Sequence, residues 1–172
     1  VTRTRELGLD GLSFSGIPVF GSYTDQAAQK AVASLFIEKF AAVAGPGKEL
    51  LLLFEGDPQF LTPADRSKVD YFVLDTKETD NATDLKLQVL RALSAGAVPC
   101  NKLLLGAMTE YEFTDEDKGA ADAISALTIR IPEIGPQPLA GLCIYSVNAD
   151  YFGAEFIYPL TRQAIQTLNP SK

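Results

Sequence analysis

Five short apolar-rich runs, most of them nearly unbroken and separated by amphipathic stretches, constrain the fold of this chain more than any other feature. They occupy residues 9–15, 49–55, 71–75, 102–108 and 139–147. The stretch Leu50-Leu51-Leu52-Leu53-Phe54 shows the pattern: no polar residue alternates with the apolar ones, so neither face of such a strand suits water. Strands of this kind belong to parallel sheets covered on both sides, and parallel neighbours need a long crossover, usually a helix. The alternation predicts an α/β fold of repeated parallel βα units in a single domain over residues 1–172.

The crossovers carry helical periodicity. Ala28, Val32, Leu35, Phe36 and Phe40 recur at helical spacing, and Gly45-Pro46-Gly47 ends that helix. Thr62 reads as an N-cap with Pro63 at the first helical position. Leu85, Val89, Leu90 and Leu93 form a further apolar face, residues 120–131 a helix stopped by Pro132, and Ile157, Leu160, Ala164 and Leu168 a last one. Residues 1–7 read as the tail of a preceding helix. Two architectures accommodate five such units: the C-terminal part of a (β/α)8 TIM barrel, or a small doubly wound open sheet. The doubly wound sheet usually carries a glycine-rich phosphate loop after its first strand, and Gly16 and Gly21 have the wrong spacing for one. The barrel is favoured, and five units leave strand edges that an upstream segment or a second chain would have to pair.

Charge and composition narrow the chemistry. A net charge of −7, from 22 acidic and 15 basic residues, opposes binding to nucleic acid or to anionic membrane surfaces. No run approaches the roughly 18 to 20 apolar residues of a membrane span. There is no histidine, which removes Ser-His and Cys-His catalysis and the usual zinc sites. Cys100 and Cys143 lie just before and within successive strands, near enough in that order to be neighbours, and read as buried free thiols; no metal and no cofactor is implied.

The first strand, Leu9-Asp10-Gly11-Leu12-Ser13-Phe14-Ser15-Gly16-Ile17, resembles the active-site signature D-G-x-D-x-D-x-E of family 18 glycoside hydrolases, the chitinases and endo-β-N-acetylglucosaminidases. Asp10 and Gly11 fit the signature. Where it has two Asp and the proton-donating Glu, this chain has Ser13, Ser15 and Ile17. The resemblance implies that residues 9–15 form the fourth barrel strand and the later four runs the fifth to eighth. Val69-Asp70-Tyr71-Phe72-Val73-Leu74 is similar to the family's sixth strand, which active members continue into an amide and a Tyr; those places hold Asp75 and Lys77. Residues 139–148, ending in Tyr145 and Asn148, are similar to the eighth.

Barrel enzymes gather their functional groups at strand C-termini. Here those ends supply Glu55, Asp57, Asp75, Lys77, Glu110, Tyr111, Tyr145, Asn148 and Tyr151 as candidate ligand-binding residues. Asp57 and Asp75 also suit turn caps, and Tyr111 and Tyr151 rim packing. A serine hydroxyl neither titrates near neutral pH nor carries charge, and Ile17 cannot protonate a leaving oxygen. The resemblance therefore implies a catalytically inactive domain that binds an N-acetylglucosamine-containing glycan or a partner protein. A glycosidase with relocated carboxylates (Glu55, Asp57, Asp75, Glu110) and a structural or assembly domain are the alternatives. By analogy with glycan-utilisation proteins of gut bacteria, the location would be the cell surface or periplasm.

Overall fold

The computed structural model describes residues 2–15, 26–74, 82–94, 98–108, 139–145, 161–162 and 165–166. Each apolar run forms a strand: β1 (Gly11–Phe14), β2 (Leu51–Glu55), β3 (Tyr71–Leu74), β4 (Leu103–Met108) and β5 (Gly141–Tyr145). All the pairings are parallel, and the strands lie side by side in chain order. Helix α2 (Gln26–Ala41) and helix α4 (Ala82–Ser94) send Ala33 and Ile37, and Val89 and Ala92, into one core with Phe14, Leu52, Phe54, Phe72, Leu74, Leu103 and Leu105. Both helices thus cover the same face. A doubly wound sheet would reverse its strand order and carry helices on both faces, so that alternative is excluded and the sheet is a barrel arc.

The register sorts the strand residues onto two faces. Leu12↔Leu52, Phe14↔Phe54, Phe54↔Phe72, Phe72↔Leu103 and Leu105↔Leu142 belong to the helix-covered face. Aromatic rings join that layer, with Phe14 stacked on Phe36 of α2 at 5.1 Å and Phe54 edge-on to Phe72 at 6.2 Å. The alternate positions, Gly11, Ser13, Leu51, Leu53, Glu55, Tyr71, Val73, Leu104, Gly106, Gly141 and Cys143, form the inner face of the arc. Val73 is buried yet stands outside the helix-side core, as its inward position requires.

Helix α2 corrects one sequence expectation. Its fully buried residues are Ala33 and Ile37, while Val32, Leu35 and Phe36 remain exposed, although Phe36 also reaches Phe14. Apolar residues surround most of this helix, so spacing alone does not select the face that meets the sheet. In α4, Val89 is buried as expected and Leu90 is exposed. The expected helices at 120–131 and around Ile157, Leu160, Ala164 and Leu168 lie largely outside the described residues, where 161–162 and 165–166 are helical.

The end of the sheet where the strands begin is held by specific contacts. Helix α1 (Thr2–Glu6) occupies the expected N-terminal helical segment, buries Thr4 and pairs Arg5 with Glu49 at 2.7 Å. The turn after α2 uses Gly45 at φ +111°, where a Cβ would meet the Lys68 carbonyl oxygen at 2.5 Å. Helix α3 (Pro63–Arg66) begins as expected with Thr62 as cap, its Oγ1 accepting from the Asp65 amide at 3.2 Å. Asp65 is itself buried and accepts from Ser34 at 2.5 Å, Thr62 at 2.6 Å and Lys68 at 3.1 Å, tying α3 to α2. No helix among the described residues is long and apolar enough to cross a membrane.

Candidate functional site

The inner face at the strand C-termini is where a barrel presents its chemistry, and β1 and β2 build the described part of it. In β1, Phe14 is buried against α2 while Ser13 and Ser15 on either side of it are exposed. Strand alternation sends both hydroxyls to the inner face. Ser13 pairs with Leu53; the pairing of β1 with β2 ends at Phe14↔Phe54, with Ser15 following the one strand and Glu55 closing the other. Glu55 pairs with Val73 of β3, which fixes it on the inner face as well. Immediately after it, the Gly56 amide donates to the Val73 carbonyl at 3.0 Å and the chain leaves the sheet. The ends of the neighbouring segments β1 and β2 thus supply two hydroxyls and one carboxylate.

The other candidates divide. The carboxylate of Asp57 accepts from the Gln59 amide at 2.9 Å and caps the short 3-10 turn Pro58–Phe60. That leaves Glu55 as the inner-face carboxylate among the described residues. Asp10 is exposed at the opposite end of β1, where its carbonyl accepts from the Leu51 amide at 2.9 Å. Tyr145 pairs with Met108 at the end of β5. Ile17, Asp75, Lys77, Glu110, Tyr111, Asn148 and Tyr151 lie outside the described residues. Tyr71 is an addition: half-exposed and paired with Leu53, it places an aromatic residue on the inner face. The sequence signal for it was available in its spacing of two from Val73, but Tyr71 opens its strand rather than closing it.

Cys100 and Cys143 are both half-buried. The Cys100 carbonyl accepts from the Ala140 amide at 3.1 Å, so the two segments do run side by side. Yet Cys100 packs against the helix-side core, whereas Cys143 pairs with Gly106 on the inner face. The sheet separates the two side chains.

A parallel arc in chain order, with its helices on one face, is the frame of part of a TIM barrel. The family described as Glycoside hydrolase family 18, BT1044-like, matches residues 3–167. The chain belongs to this family. No curated protein matches it. Among solved structures, it is similar to a selenomethionine form of BT1044 carrying a Glu-to-Gln substitution, at 15% identity and a TM-score of 0.65, over 97% of this chain and 56% of that one. It is also similar to a family 18 chitinase from Pseudoalteromonas aurantia, at 13% identity and a TM-score of 0.60, over 95% of this chain and 64% of that one. At such identities these likenesses show the fold, a family 18 TIM-barrel type. The chain spans less than two thirds of the length of either structure.

Proposed function

We propose that this family 18 domain has lost glycosidic catalysis and binds N-acetylglucosamine-containing glycans at the inner mouth of its strands. The observation that carries the reading is the placement of Ser13 and Ser15: exposed, inner-facing, and in the signature positions that hold carboxylates in catalytic members. Substrate-assisted cleavage needs a general acid of raised pKa and neighbouring carboxylates to steer the acetamide. Two hydroxyls and the Ile17 side chain supply neither. They do retain a polar lining, which with Glu55 suits the hydroxyls of a sugar. One of the structural neighbours is described as a chitinase, consistent with this ligand class.

Glu55 favours one second reading, a glycosidase that acts through a relocated carboxylate. A single pair of assays separates the two. Under the binding reading, the protein retains N-acetylglucosamine-containing glycans on an array and releases no chromophore from an activated chitobioside. Turnover that disappears in Glu55→Gln would replace it with the relocated-carboxylate reading. Neither binding nor turnover would leave a structural or assembly role.

A further inference from the structure

Charge is distributed unevenly between the two ends of the sheet. Glu55 is the only charged residue in the five described strands, and it closes β2 on the inner face. Because the strands are parallel, every connection that follows a strand starts from this same end. The stretches that follow β1 to β5 in sequence, residues 15–25, 56–62, 75–81, 109–118 and 146–155, each contain more acidic than basic residues. Those that lead into β2, β3 and β4, residues 42–50, 67–70 and 95–102, hold as many basic residues as acidic ones or one more. The cations that follow Glu55 in the connection to β3 are held by other groups: Arg66 Nη1 donates to the Pro58 carbonyl at 3.4 Å, and Lys68 Nζ to Asp65 at 3.1 Å. A ligand at the C-terminal end of the strands therefore gains from positive charge.

We propose that the sugar unit bound across Ser13, Ser15 and Glu55 is a glucosamine with a free amine, so that the preferred ligand is a partly de-N-acetylated chitin oligosaccharide rather than the fully acetylated one. This names the ligand class of the binding reading given above and rests on it. Ser13 pairs with Leu53, and Glu55 lies two residues farther along β2 on the same face. One strand spacing and a two-residue rise separate their backbones, about 8 Å, a gap that side chains and one sugar ring bridge. A protonated amine there donates to the carboxylate and to hydroxyl oxygens at once, and bonds of the N⁺–H···O⁻ kind are roughly twice as strong as neutral ones. An acetamide in the same place carries no charge and a single N–H, and its carbonyl oxygen meets a carboxylate that can only accept. With Ser13 and Ser15 in the signature positions, the carboxylates that steer an acetamide for cleavage are absent, and nothing in β1 requires the acetyl group.

The test is calorimetric titration of the 172-residue chain at low ionic strength with N,N′-diacetylchitobiose and with its fully de-N-acetylated counterpart. The amino disaccharide is expected to bind about tenfold more tightly, as a hydrogen bond between charged groups allows. High salt is expected to shrink that advantage. In Glu55→Gln the two affinities are expected to fall within a few-fold of each other. The first comparison uses the parent chain alone, so it stays decisive even if the variant misfolds. Equal affinity, or tighter binding of the acetylated disaccharide, would overturn the amine assignment and leave the binding reading standing. Binding of neither ligand would remove both. A preference that survives in a folded Glu55→Gln variant would overturn the placement of the amine at Glu55. Spermidine binding as tightly as the amino disaccharide would also overturn the proposal, because the acidic end would then attract cations without recognising a sugar.

Discussion

Gly11 illustrates how a motif residue can be legible while its reason is hidden. The signature identifies it beside Asp10, but only the structure shows that a Cβ there would lie 2.5 Å from the Leu51 carbonyl oxygen and 2.9 Å from its Cβ. The backbones of β1 and β2 meet too closely for any side chain. Gly11→Ala is therefore expected to destabilise the fold by about 1–3 kcal/mol, the usual cost of overpacking, and urea denaturation checks it. Asp65 gives a second residue-scale prediction. Burial, the largest influence, opposes its charge, but hydrogen bonds from Ser34, Thr62 and Lys68, together with the charge of Lys68, hold its pKa below the ordinary 3.8. The unfolded state then binds the proton more readily than the folded state, so the stabilisation is complete above the unfolded value and is lost as pH falls through the folded one. Asp65→Asn is expected to cost about 1–3 kcal/mol at neutral pH through unsatisfied hydroxyl and ammonium donors. Stability curves of parent and variant should converge on acidification below about pH 4; a constant gap down to acid unfolding would assign the loss to packing instead.

At the scale of elements, the strands were legible because both their faces are covered. A run such as Leu50 to Phe54 has few other places to go, and the observed strands begin and end within about two residues of the apolar runs, a normal boundary error. The helix faces were less legible for a related reason. In α2 an apolar stripe through Val32, Leu35 and Phe36 competes with Ala33 and Ile37, and the sheet selected the latter pair. Small Ala33 lets the helix approach and Ile37 fills the space behind Leu52 and Phe54 in the shared core. Ile37→Ala is expected to cost about 2–5 kcal/mol, and Leu35→Ala about 0.5 kcal/mol or less, since Leu35 is 54% exposed. Thermal unfolding of the two variants decides between the faces, and equal losses would restore the face inferred from spacing.

Over the whole molecule, the topology was legible from the order of strand and helix patterns, because short crossovers make neighbours in sequence neighbours in the sheet. The site was legible only in part. Spacing by two puts Ser13 and Ser15 on one face, but the pairing of β1 with β2, the strand that Glu55 closes, is a long-range contact that no local pattern encodes. That neighbourhood sharpens the prediction that separates lost catalysis from relocated catalysis. Ser13→Asp, Ser15→Asp and Ile17→Glu made together would return carboxylates to the positions of the signature motif. A general acid commonly contributes about 10² to 10⁴ in rate, so the triple variant is expected to turn over an activated chitobioside where the parent does not. Adding Glu55→Gln to the triple variant should then leave its turnover within a few-fold, because the restored carboxylates carry the reaction. If Glu55→Gln instead abolishes turnover in both parent and variant, the chemistry belongs to β2. Should the variant fold and bind glycan without any turnover, the carboxylates alone are insufficient for the reaction.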